Sequence, residues 1–237
     1  AEDFQAKEQA ENALNAELSD RAAFAELKAA RERGGIADPI LKRSIDVLYL
    51  AYLGKQVDPE LLRAMVAKSN AVEKTFNTYR AQVGGKRLSE NDVRKILRES
   101  ASSDEREQAW KGSKGVGREV EPELKQLVKL RNQAAQKLGF RDYYVLSLYL
   151  NEQDEGALLA LFAQLDELTL GPFLELKAAL DKTLAKRLKI APAQLRPWHY
   201  HDLFFQEAPK VEGLDLDKLY TGKDILKISR AYYAGLD

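Results

Sequence analysis

Two histidines stand two residues apart in the segment Leu195-Arg-Pro-Trp-His-Tyr-His-Asp-Leu-Phe-Phe-Gln-Glu207, and they are the only imidazoles of the chain. His199 and His201, with Asp202 and Glu207 beside them, offer the donor types of a zinc site. The spacing argues against one. Helical zinc sites place ligands at i and i+4 so that both face one way, whereas residues two apart on a helix point to nearly opposite sides. An extended segment would bring both rings to one face, but a third protein ligand would still be needed. The run Trp198, His199, Tyr200 and His201 suits a different task, because flat apolar rings with polar tips line peptide-binding clefts. These four are the substrate-cleft candidates. No catalytic, cofactor-binding or metal-binding residue is assigned.

Other chemistry is weaker. Gly112-Ser-Lys-Gly115-Val-Gly117 has the glycines of a phosphate loop but no preceding strand to aim it, so a bent or closely packed helix is expected. Glu119/Glu121/Glu123, Glu152/Asp154/Glu155 and Asp166/Glu167 are paired carboxylates, and nothing sets any of them apart from solvated helix surface. A serine nucleophile would need a turn such as GxSxG, which is missing, and the absence of cysteine removes thiol chemistry and disulfides.

The elements that must position these residues read as helices. Apolar groups recur every three or four residues, so the fold class is all-α: a multi-helix array. Helices are expected at 2–18, from Ser19 or Asp20 to Gly34-Gly35, after Asp38-Pro39, and from Asp58-Pro59 to Gly84-Gly85. Ser89-Glu-Asn-Asp92 and Ser102 with Glu105 open two more, the second running toward Gly139 with a kink or break in its glycine-rich middle. Further helices are expected at 142–151, 155–169, 173–189 and 224–234, with an irregular stretch at 191–209 and a polar loop at 210–223.

Composition sets outer limits. The 237 residues hold 37 basic and 37 acidic side chains, so no net field draws the chain to nucleic acid or to an anionic membrane. No apolar run of the roughly 20 residues needed to cross a bilayer is read, and neither nucleic acid nor membrane is expected as a partner. The charged N-terminus is unlike a signal peptide, and cytoplasm and periplasm both stay open.

Several blocks, in order, resemble the angiotensin-converting-enzyme-like zinc metallopeptidases, peptidyl-dipeptidases of the HExxH type. They are VEKTFNTYRAQVGGKRLSENDVRKILRES (72–100), RNQAAQKLGFRDYYVLSL (131–148), DELTLGPFLELKAAL (166–180), RPWHYHDLFFQEAP (196–209) and GKDILKISRAYYAGLD (222–237). The first 70 residues match only as helices of similar character. The resemblance implies a helical ellipsoid cut by a deep channel, roofed by N-terminal helices. It also implies zinc held by the histidines of HExxH and a later glutamate, with the motif glutamate as general base. No position here matches HExxH, so none of those roles carries over.

The expectation is therefore the non-catalytic N-terminal segment of such an enzyme. Residues 1–100 would be lid-like helices and 101–237 a cleft-wall subdomain, unless the two form one continuous domain. The catalytic half and its zinc would lie beyond Asp237, since Gly235-Leu236-Asp237 reads as an edge rather than a natural tail. Expected partners are that catalytic half, an oligopeptide in the parent enzyme, and an exposed apolar face open to self-association. The competing expectation is a free-standing helical interaction module without catalytic activity.

Overall fold

The computed structural model describes residues 2–206 and 217–236, which are mostly helical with one small hairpin. The chain forms two compact units, Ala1–Leu203 and Phe204–Asp237.

The first unit begins with α1 (Glu2–Leu18). Asp20, Asp38 and Asp58 then open α2 (Arg21–Arg33), α3 (Pro39–Leu53) and α4 (Pro59–Thr78). Each aspartate accepts hydrogen bonds from two first-turn N–H groups, and Pro39 and Pro59 occupy the first position, where no N–H partner is needed. Strands β1 (Ala81–Val83) and β2 (Lys86–Leu88) follow, pairing Ala81 with Leu88 and Val83 with Lys86. A reciprocal Ser89–Asp92 capping box starts α5 (Glu90–Glu99), and Ser102 caps α6 (Ser103–Lys114). Helix α7 (Val116–Lys137) begins directly after Gly115, without a side-chain cap. Asp142 and Asp154 cap α8 (Tyr143–Leu150) and α9 (Glu155–Leu188), and the chain then runs through short 3₁₀ turns at Pro192–Gln194 and Pro197–His199.

The second unit holds α10 (Asp217–Tyr220) and α11 (Ile225–Tyr233), the latter capped by Asp224. Helix α10 falls within the stretch expected to be a polar loop, while 207–216 lie outside the described residues.

Two sequence expectations are corrected. The helix after Asp58 stops at Thr78 instead of running to Gly84-Gly85, because both glycines have positive φ (55° and 79°) and form the two-residue turn of the hairpin. The helices expected at 155–169 and 173–189 are one helix, α9, which passes through Gly171-Pro172. A proline inside a helix costs about 3 kcal/mol, but no Asp, Asn or Ser stands before it to cap a new helix, and leucine-rich runs lie on both sides. The joined helix is long and apolar enough to cross a bilayer by length and composition alone, which corrects the reading of apolar runs.

The expected break in the glycine-rich stretch is present and has a packing reason. A Cβ on Gly115 would lie 2.4 Å from the Tyr79 hydroxyl, and one on Gly112 would lie 2.9 Å from Val83 Cγ2 and 3.1 Å from the Gln82 carbonyl. The glycines let the α6–α7 joint sit directly against the hairpin. They cradle protein, not phosphate.

Helix α4 packs along α7 and α1, α2 along α3, and α6 against α5 and β1. One core cluster gathers Val57, Leu61 and Leu62 with Ala134, flanked by Met65, Leu130 and Leu138. The other gathers Ala81, Val93, Leu97, Ala109 and Leu203, with Tyr79, Trp110 and Trp198 packed against it. The second cluster therefore includes the segment that carries the cleft candidates.

Helix α9 behaves differently along its length. Leu184, Ala185 and Leu188 are buried, while Leu161, Phe162, Leu165, Leu168, Phe173 and Leu176 are all exposed. None of its apolar central stretch is buried.

Candidate functional site

The candidates Trp198 to His201 sit on a turn at the end of the first unit, held to α6 by a buried arginine. Arg106 is 1% exposed. Its Nε donates to the Trp198 carbonyl at 2.9 Å, Nη1 to the Ser100 carbonyl at 3.0 Å and Nη2 to the His199 carbonyl at 2.6 Å. The planar guanidinium is suited to this, since its fixed fork of donors reaches several carbonyls at once. Burial, with a smaller contribution from Arg187, pulls its pKa down to about 10, so it remains charged at neutral pH. Lys114 Nζ donates to the Leu203 carbonyl at 2.8 Å, and Arg94 pairs with the buried Asp202 at 3.0 Å. The turn is pinned at both ends.

Each candidate has a distinct place. Trp198 lies against the core, with its ring 6.1 Å from that of Trp110 and the Lys111 ammonium 5.6 Å from its centroid. His199 is 2% exposed. Its Nδ1 accepts the Arg196 N–H at 2.8 Å, so the neutral ring carries its proton on Nε2 and donates it to Ser103 Oγ at 2.8 Å. Burial first, then Arg106 and Arg196, hold its pKa below the usual imidazole value. Tyr200 is half-buried and donates its hydroxyl to Asp181 at 2.7 Å, while Lys177 reaches the same hydroxyl at 3.3 Å and Asp181 at 2.6 Å. Burial and then the Asp181 hydrogen bond raise the Tyr200 pKa. Burial alone would raise Asp181, but Lys177 and Tyr200 outweigh it and keep the carboxyl low. His201 is half-buried beside the buried Asp202.

Sequence reasoning passed over Arg106, Ser103, Lys177 and Asp181. For Arg106 a signal existed: with Ala109 and Trp110 at i+3 and i+4, it shares a helix face with residues that are unmistakably core. Lys177 and Asp181, at i and i+4, read as any other surface pair until Tyr200 is brought over them.

The arrangement offers a phenol and an ammonium, both partly accessible, on a well-braced turn. Such groups can hydrogen-bond a peptide carbonyl or carboxylate. Ser103 and His199 are hydrogen-bonded, but the neutral ring donates from Nε2 and so is not oriented to take the Ser103 proton.

The sequence profile of peptidase family M2, angiotensin-converting enzyme, matches residues 2–188. The chain belongs to that family. No curated protein and no solved structure matches it. The matched residues take in α1 through α9 and end before the 197–203 turn, so membership of the angiotensin-converting-enzyme family rests on the helical array. The zinc that the family implies does not fit the residues described. Both ring nitrogens of His199 are engaged by protein, and no group of three or more histidine or acidic side chains converges among the described residues.

Proposed function

We propose that this chain is the N-terminal, non-catalytic segment of a zinc-dependent peptidyl-dipeptidase that hydrolyses oligopeptides. Residues 1–100 supply lid helices and 101–237 supply the wall of the substrate channel. The observation that carries this reading is a family match across 2–188 in a sequence with no HExxH. A peptidase of this type needs that motif to hold zinc and to activate water, so both must come from other residues of the parent enzyme.

The bare stretch of α9 supports the same reading. A helix that is apolar around most of its circumference is stable when other protein covers it. Asp166 and Glu167 sit in the middle of that stretch. An acidic residue at the centre of a bilayer costs about 2.5–3.5 kcal/mol, which favours a protein cover over lipid. In this reading the remaining catalytic half lies on α9, and a second copy of the chain can occupy the same face when that half is missing. The Tyr200 side of the turn faces the channel, with the Tyr200 hydroxyl and Lys177 as its polar contacts to substrate, while Trp198 and the buried His199 brace the turn from the core side.

The test compares the isolated chain with the naturally expressed gene product. The isolated chain, given zinc, is expected to release no dipeptide from a blocked tripeptide. The natural product is expected to be well above 26.7 kDa, to carry zinc and to release the C-terminal dipeptide. A zinc-free natural product near 26.7 kDa would remove the assignment and leave a helical interaction module.

A further inference from the structure

A second place in the fold has the makings of a binding site and shares no residue with the 197–203 turn. A cavity of about 260 Å³ opens between α1, α4 and α7, with Lys55, from the turn after α3, and Arg131, from α7, both in its lining. Lys55 is half-buried, and burial lowers its pKa while nearby Glu11 only partly offsets the effect. Arg131 is half-buried too and packs on the Tyr143 ring, with its guanidinium carbon 5.1 Å from the centroid. Among the described residues, neither cation has a hydrogen-bonded or ion-paired acceptor.

The one acid in the lining is already in use. Glu11 Oε2 accepts from Asn70 at 3.0 Å, and Oε1 lies 3.9 Å from Lys7. That leaves the pocket with one positive charge in excess. Its other wall is apolar, formed by Leu62, Met65 and Val66, of which Leu62 is 3% exposed. Removing water from an ammonium without giving it an acceptor is costly, and an entering carboxylate recovers that cost while its tail covers the apolar wall.

We propose that this cavity binds a small monocarboxylate with an apolar tail, its carboxylate between Lys55 and Arg131. A singly charged anion neutralises the excess. A zwitterion would not, because its ammonium would lie beside two cations. The volume lies just below the usual range of ligand pockets and suits a branched acid of a few carbons. The proposal does not depend on the peptidase reading, since no residue of the cavity belongs to the 197–203 turn.

The experiment is calorimetric titration of the whole chain with isocaproate, isocaproamide and leucine. Isocaproate is expected to bind saturably at a single site, with the amide and leucine each at least roughly tenfold weaker. Lys55→Gln and Arg131→Gln are each expected to weaken isocaproate roughly tenfold and to reduce the rise in melting temperature that it causes in the unaltered chain. Circular dichroism checks that both variants remain folded, and the three-ligand comparison needs no variant. The proposal is overturned if isocaproate does not saturate, if amide or leucine binds as tightly, or if the folded variants bind like the parent chain.

Discussion

The two ends of α9 share one helix and differ in almost everything else. At its C-terminal end Leu184, Ala185 and Leu188 are buried, Arg187 donates to the Arg98 carbonyl, and Lys177 and Asp181 hold Tyr200. In the stretch before it, a row of leucines and two phenylalanines is exposed among the described residues. Local sequence character does not explain the contrast, because both ends are rich in leucine and alanine. What differs is whether another part of the described chain reaches that part of the helix. Helix formation and helix burial are thus separate questions, and the second depends on residues far away in sequence.

That contrast can be broken at the docked end. Arg106→Ala removes the group that solvates three carbonyls in a closed site, and urea unfolding should show a loss of about 3 kcal/mol. Arg106→Lys should recover only part of this, because an ammonium cannot span three acceptors in the same plane. A loss below about 1 kcal/mol for the alanine variant would mean that the turn is held mainly by Trp198 and Leu203.

His199 gives a subtler handle on the same end. Its folded-state pKa is depressed, so above the ordinary value of 6.5 both folded and unfolded chains carry a neutral ring and the group is silent. As pH falls below that value the unfolded chain takes up a proton that the folded chain resists, and stability declines by at most about 1.4 kcal/mol per pH unit. The decline ends once pH has passed the lower folded value. In His199→Gln this component should vanish from the pH profile of unfolding, and an unchanged profile would contradict the buried neutral ring.

The bare stretch should answer oppositely. Leu168→Asn, at 72% exposed, is expected to change the stability of the isolated chain by less than about 0.5 kcal/mol. The same substitution should reduce self-association measured by sedimentation, and a full-sized stability loss would show that the stretch is already covered in solution.

The sequence carried the starts of elements better than their ends. Asp20, Asp38, Asp58, Ser89 and Ser102 mark helix N-termini through short-range hydrogen bonds, which is why those positions were legible. Gly84-Gly85 was also a signal, the usual two-residue hairpin turn, but flanking strands of three residues are too short to show alternation. At Gly171-Pro172 the usual punctuation gave the wrong answer, because no capping side chain supports a restart. The site was legible only as a cluster of aromatic and imidazole residues. Its bracing comes from Arg106, Lys114 and Asp181, which meet the turn from far away in sequence, and only Arg106 carries a local sign of burial, through Ala109 and Trp110 on its helix face.

The Arg106 clamp also constrains how this polypeptide is made. Its partners Trp198 and His199 follow it by 92 and 93 residues. At a synthesis rate of about 5–20 residues per second, the guanidinium waits on the order of 5–20 s before the carbonyls it needs have been assembled. Until then α5, α6 and the hairpin lack Leu203 and Trp198 from their core. The early part of the nascent chain is therefore a provisional structure, completed from its far end.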